Sequence, residues 1–316
     1  MSLIGHDHAW QAWRSAAQGG RMHHAWLLAG QSGIGKAQFA FAAAHELVRG
    51  EVGSPHPDIV HLARAPKDKK EADKKEAGKP FETARNIKVD QIRSMQRVLT
   101  TRPTMGDKRV IIVDPADDME RSASNALLKS LEEPPIGTYF VLVSHSPAKL
   151  LPTIRSRCRT LRFPDLSTVE MQTVLSTLAP EANGDELDAA ILAGAGSPGA
   201  ALRFLEFGLD EIARLMNDIA EEGDAGFVLR GQLAARVGGR PSREHLRAVL
   251  DLARSIVAGN ITQAEPAAQL ARIAAHEELV RLTGEMATYN YDPGLLIMEI
   301  GTLLARVGQA SERANV

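Results

Sequence analysis

The sequence has 316 residues, of which 44% are hydrophobic and 24% charged, and its formal net charge is -2 at pH 7. This length exceeds one ordinary compact core, so we expect two or three domains, and the charge excludes nucleic-acid binding through overall electrostatic attraction. The single cysteine, Cys158, excludes an internal disulfide and a cysteine-based zinc site, so we predict no zinc and no other metal site.

The chain begins MSLIGHDHAW, without the basic start and apolar stretch of an export signal. No later run approaches the length of about 18 apolar residues that a membrane span requires. Together with the cysteine content, this pattern predicts a cytoplasmic protein.

Up to about residue 165, short apolar runs alternate with segments of helical spacing. The runs are AWLLAG, DIVHLA, RVIIVD, YFVLVS and TLRF, at 25–30, 58–63, 109–114, 139–144 and 160–163. Such alternation is typical of parallel strands joined by crossover helices. We therefore predict an α/β domain with a five-stranded parallel sheet over residues 1–165.

A phosphate-binding loop follows the first of these runs. The segment GQSGIGK contains Gly30, Gly33, Gly35 and Lys36, and it lies between an apolar run and an alanine-rich helical segment. In this context G-x-x-x-x-G-K predicts a Walker A loop, whose backbone N–H groups and lysine cradle nucleotide phosphates. The next residue is Ala37, where a serine or threonine hydroxyl would coordinate magnesium. The loop is therefore degenerate.

The segment 66–80, PKDKKEADKKEAGKP, is rich in charge and has no large apolar side chain. It cannot bury a face against a core, so we expect an exposed, mobile insertion. A DNA-contacting lysine patch is the alternative to a solvated charge run.

The run RVIIVD ends in Asp114, a candidate outer partner for magnesium, and continues with Pro115. The arrangement resembles the P-loop ATPases of the AAA+ family, which place a glutamate at the position of Pro115 to orient the attacking water. Proline has no carboxylate. Asp117 and Asp118 could substitute, but we expect them to cap a helix starting near Met119. The resemblance therefore implies possible nucleotide binding without hydrolysis.

Three arginines, Arg155, Arg157 and Arg159, lie close together before the last run. Taken alone, they are typical of a solvated cationic face. However, NALLKSLEEPP and LLPTIRSRC resemble the clamp-loader branch of AAA+ proteins, in which a Ser-Arg-Cys triplet presents an arginine finger to the nucleotide of a neighbouring subunit. The resemblance implies this catalytic role in trans for Arg157 of Ser156-Arg157-Cys158.

After Phe163-Pro164 the sequence continues in alanine- and leucine-rich helical patterns, interrupted by glycine and proline. We predict a small helical domain over 166–208 and a second helical block over 209–316. In the AAA+ resemblance these correspond to an all-α lid and an all-α collar for oligomerisation. Motor subunits carry a phosphate-sensing arginine in the lid, and in GSPGAALRF the matching position is Gly199.

The motifs occur in the order found in delta prime subunits of bacterial DNA polymerase III, with further matches in IKVDQIRSMQ and NYDPGLLIMEIGTLLAR. The resemblance implies a non-motor subunit of a hetero-pentamer with clamp-loader ATPase subunits and the delta subunit. Through that complex it implies contact with the sliding clamp and primer-template DNA. No cofactor is firmly implied; ATP or ADP at the degenerate loop is the alternative.

Two other functions remain open. Lys36 and Asp114 favour an active clamp-loader ATPase, whereas Ala37, Pro115 and Gly199 oppose it. An AAA-like scaffold, whose helical half binds an unrelated partner, is the third hypothesis.

Overall fold

A computed structural model describes residues 3–19, 22–259, 261–262, 264–286, 289 and 291–314, with side chains up to residue 310. The chain divides into two compact units, residues 1–165 and 166–316. Within the described ranges, no helix combines the length and apolarity needed to cross a membrane.

The first unit is built around a parallel sheet. Its strands are β1 Ala25–Ala29, β2 Ile59–Leu62, β3 Arg109–Val113, β4 Thr138–Ser144 and β5 Arg159–Arg162. They pair in parallel in the order β2-β3-β4-β1-β5. The predicted five-stranded α/β domain is confirmed.

Helices cover both faces of this sheet. They are α1 Asp7–Gln18, α2 Lys36–Val48, α3 Lys69–Glu76, α4 Val89–Leu99, α5 Arg121–Glu132 and α6 Pro152–Arg155, with 3₁₀ turns at Ala116–Asp118 and Pro147–Lys149. Successive strand side chains point to opposite faces. Trp26 and Leu28 accordingly pack in a cluster with residues of α1 and α2, whereas Leu27 packs in a cluster with residues of α4, α5 and α6.

The lysine-rich segment contains α3, which the sequence did not predict. The Asp68 side chain caps this helix by accepting a hydrogen bond from the Glu71 backbone N–H at 3.0 Å. The Glu71 carboxylate in turn accepts bonds from the Glu82 backbone N–H and the Lys74 ammonium, both at 2.7 Å. Capping and charge pairing thus order a segment that lacks large apolar side chains.

The second unit is helical. Its helices are α7 Thr168–Leu178, α8 Gly184–Gly194, α9 Pro198–Glu206, α10 Asp210–Glu222, α11 Val228–Val237, α12 Arg243–Ala258, α13 Pro266–Glu285 and α14 Pro293–Ala314. The side chains of Ser167, Asn183, Ser197 and Ser242 accept N-terminal hydrogen bonds from α7, α8, α9 and α12.

One hydrophobic cluster runs through this unit on both sides of residue 208. It contains Phe204, Met216 and Leu252, and α12 packs against α8 and α9. The segments predicted as lid and collar therefore share a core here, and the division into 166–208 and 209–316 stays a prediction.

Candidate functional site

The predicted phosphate loop connects β1 to α2. Gly33 and Gly35 have φ values of 81° and 105°, which only glycine adopts without strain. A Cβ on Gly30 would lie 2.4 Å from the carbonyl oxygen of Phe163, at the end of β5. The backbone path and the close approach of β5 therefore require these glycines whether or not a nucleotide binds.

Lys36 points into its own loop. The residue is only 2% exposed, and its Nζ donates hydrogen bonds to the carbonyl oxygens of Gly30, at 2.6 Å, and of Gln31. Burial lowers the pKa of Lys36 to about 8, although the nearby carboxylates of Asp117 and Asp114 oppose the shift. The ammonium that would bind phosphate is thus bonded to loop carbonyls.

The segment before α1 covers the loop. His6 is fully buried, and its Nε2 lies 2.8 Å from the carbonyl oxygen of Ile34. The Leu3 side chain also reaches the loop, 2.7 Å from where a Cβ on Gly35 would stand. Sequence reasoning missed these contacts because a single histidine far from the motif carries no distinguishing signal.

Asp114 directly follows β3, as predicted. Burial raises the pKa of its carboxyl group, and the charges of Lys36 and Arg64 oppose this shift. Neither Ala37 nor Pro115 adds an oxygen-bearing side chain. Of the predicted nucleotide-binding residues, only Asp114 and Lys36 therefore contribute a charged side chain. The hydroxyl that would coordinate magnesium and the carboxylate that would orient water are therefore missing at positions 37 and 115.

The prediction that Asp117 and Asp118 cap the following helix is wrong. The Asp117 carboxylate instead binds the C-terminal end of β4, accepting bonds from the Ser144 hydroxyl at 2.7 Å and from the backbone N–H groups of His145 and Ser146 at 2.6 and 3.2 Å. Asp118 forms an ion pair with Arg64 at 3.3 Å. Both carboxylates therefore have structural partners in the fold.

The guanidinium of Arg157 lies at the surface just after α6, with 34% of its side chain exposed. Nη2 of Arg157 contacts the Glu132 carboxylate at 2.5 Å, and Nη1 donates a hydrogen bond to the carbonyl oxygen of Thr153 at 3.0 Å. Sequence reasoning selected Arg157 but missed Glu132, which belongs to the quoted NALLKSLEEPP segment.

The neighbours of Arg157 have different surroundings. Arg155 and Arg159 are both exposed, and the guanidinium carbon of Arg159 lies 5.1 Å from the centroid of the Trp26 ring. Cys158 packs against the core, and burial raises the pKa of its thiol to about 12. Arg157 is therefore distinguished from Arg155 and Arg159 by its partner Glu132.

Gly199 lies in the first turn of α9, after the capping residue Ser197. It has no side chain that could contact a phosphate. Arg203, one turn later, forms an ion pair with Asp251 of α12 at 3.1 Å.

The buried Lys36 should make stability depend on pH. Its pKa falls from 10.5 to about 8 on folding, so between these pH values the unfolded chain binds more protons than the folded chain. The free energy of unfolding should therefore rise through this window, by roughly 3 kcal/mol at most. Denaturation of the wild type and of Lys36→Met, each at pH 7.5 and at pH 9.5, measures how much of this rise in the free energy of unfolding depends on Lys36. An equal pH dependence in the two proteins would contradict the assignment.

The family model described as "DNA polymerase III, delta subunit" matches residues 5–167. DNA polymerase III subunit delta' of Pseudomonas aeruginosa is 33% identical over 220 residues, covering 64% of this chain and 62% of that protein. Subunit delta' of Escherichia coli is 33% identical over 208 residues, covering 60% and 56%. The matched part thus spans less than two thirds of either relative.

Subunit gamma/tau of Mycobacterium tuberculosis is 31% identical over 212 residues, covering 65% of this chain and 36% of that protein. Among solved structures, a gamma subunit-related protein of Thermotoga maritima aligns with a TM-score of 0.46 and 17% identity, covering 94% of this chain and 98% of that one. Because the family model matches more than half of the chain, this chain belongs to the DNA polymerase III delta-subunit family and resembles the delta' subunits within it.

Proposed function

We propose that this chain is a non-motor subunit of a bacterial clamp loader, acting in the cytoplasm, and that it supplies Arg157 in trans to the nucleotide of a neighbouring ATPase subunit. The observation that carries the proposal is the partly exposed Arg157 guanidinium on the first unit. Membership of the DNA polymerase III family supplies the setting, since relatives of this chain are named as delta' and gamma/tau subunits of that polymerase.

The chemistry of arginine suits this role. A guanidinium remains charged at any physiological pH and can contact two phosphate oxygens in one plane. Arginine fingers in other nucleotide hydrolases act by stabilising the negative charge that develops during phosphoryl transfer. Arg157 would do this for a nucleotide bound by the adjacent subunit.

The proposed mechanism is conformational. ATP in the neighbouring subunit would attract Arg157 and tighten the interface between subunits, and hydrolysis on primer-template DNA would loosen it. Within a hetero-pentamer that includes the delta subunit, this cycle would open the sliding clamp and release it on DNA. The chain would contribute binding energy and one guanidinium.

The degenerate Walker A loop supports a role without hydrolysis in this chain. Lys36 bonds to loop carbonyls, and Ala37 and Pro115 lack the side chains that position magnesium and water. The loop glycines are accounted for by backbone conformation and by the approach of Phe163. We infer that the loop persists as an element of the fold, and that ATP or ADP is not a working cofactor here.

We expect the isolated chain to hydrolyse ATP no faster than its Lys36→Ala variant. Steady-state phosphate release, measured with both proteins at equal concentration and with magnesium, tests this. A rate that disappears in Lys36→Ala would favour the active-ATPase alternative. That alternative is supported by the closeness of Lys36 and Asp114. Copurification with the ATPase and delta subunits separates the proposal from the scaffold hypothesis.

A further inference from the structure

The Arg157 guanidinium is held by a residue of its own chain. We propose that Glu132 is a positioning residue, which orders Arg157 in the isolated subunit and competes with the phosphate oxygens of the neighbouring nucleotide for the same guanidinium. This inference rests on the proposed function, because it concerns how the proposed finger is released.

The contacts resemble those that a bound phosphate would make. Oε1 of Glu132 lies 2.5 Å from Nη2 of Arg157, while Nη1 donates a hydrogen bond to the carbonyl oxygen of Thr153 at 3.0 Å. Carboxylate and phosphate oxygens bind guanidinium groups with the same geometry. Glu132 therefore occupies a position on Arg157 that a phosphate oxygen would take.

The place of Glu132 in its helix supports a role for this ion pair. Glu132 is the last residue of α5, where the helix dipole places a partial negative charge. A carboxylate is unfavourable there, and Arg157 offsets that cost. Removing the charge of Glu132 should consequently leave α5 folded.

The ion pair between Arg157 and Glu132 is exposed enough for another anion to replace Glu132. The side chains of Arg157 and Glu132 are 34% and 48% exposed, and ion pairs of this kind shift an equilibrium by about five-fold or less. A nucleotide phosphate carries more negative charge than one carboxylate. It can therefore displace Glu132 when the neighbouring subunit presents it.

The test is the affinity of the full-length chain for the clamp-loader ATPase subunit, loaded with magnesium and either a non-hydrolysable ATP analogue or ADP. Glu132→Gln should tighten the analogue-dependent complex by about two-fold to five-fold and leave the ADP complex unchanged. Glu133→Gln removes the same charge one residue away and should change neither complex. In the Arg157→Ala background, Glu132→Gln should have no effect.

The outcomes separate the two proposals. If Glu132→Gln acts equally with ADP, or equally in Arg157→Ala, the effect is general charge repulsion and the inference is wrong. If Glu132→Gln weakens the analogue complex, Glu132 assists the finger and competition is excluded. If Arg157→Ala leaves analogue-dependent binding unchanged, the proposed finger fails, and the role of Glu132 fails with it. An unchanged affinity in Glu132→Gln alone refutes only the role of Glu132.

Discussion

On the proposed function, Arg157→Ala is expected to abolish ATP hydrolysis at the nucleotide site of the neighbouring ATPase subunit. Loss of an arginine finger lowers turnover at its site by about 1,000-fold or more, because negative charge on the transferring phosphate is no longer stabilised. The DNA-stimulated rate of the reconstituted complex should therefore fall by the whole contribution of that site. Steady-state ATPase with clamp and primed DNA, at matched assembly, measures the loss.

Two variants serve as controls for this experiment. Arg155→Ala removes an exposed arginine from the same segment and should leave the rate unchanged. Arg157→Lys keeps the charge but loses the planar pair of donors, so it should restore little activity. A rate unaffected by Arg157→Ala would mean that Ser156-Arg157-Cys158 is only structural in this chain.

Asp58→Ala is expected to destabilise the first unit by about 3 to 5 kcal/mol, the usual cost of breaking a buried ion pair. Asp58 is fully buried, and its carboxylate accepts the backbone N–H groups of Thr104 and Met105, both at 2.7 Å. It also pairs with Arg109 at 3.4 Å. The substitution would leave a buried guanidinium without its counter-charge and would remove the acceptor of two N–H groups.

Chemical denaturation followed by tryptophan fluorescence isolates this effect. All three tryptophans, Trp10, Trp13 and Trp26, lie in the first unit, so their emission reports on that unit. Asp90→Ala, which removes an exposed partner of Arg93, should cost less than about 1 kcal/mol. Similar losses in the two variants would show that the Asp58 pair contributes no more than a surface pair.

The sheet could be predicted from the sequence because its central strands are buried on both faces. Such strands appear as continuous apolar runs, as in β1 and β3, with turn residues at each end. Helix α3 escaped prediction since its order comes from the cap at Asp68 and from Glu71, which are weak signals within a charge run. Local capping can thus order a segment that composition alone marks as disordered.

The sequence likewise predicted only part of the candidate site. The loop glycines and Lys36 are adjacent in sequence, so their motif alone predicted their position. Asp117 was assigned to the wrong partner, because β4, which it binds, lies far along the chain. The contact between Glu132 and Arg157 likewise depends on how α5 and α6 pack, and no local pattern encodes that packing.

The environment of Cys158 determines how the chain can be labelled for such experiments. Burial raises the pKa of this thiol to about 12, so the unreactive protonated form predominates at pH 7. Because Cys158 is the only cysteine, we expect the natural chain to react only slowly with maleimide dyes. A cysteine introduced at an exposed position would take up a single fluorophore, while the native Ser-Arg-Cys triplet stays intact.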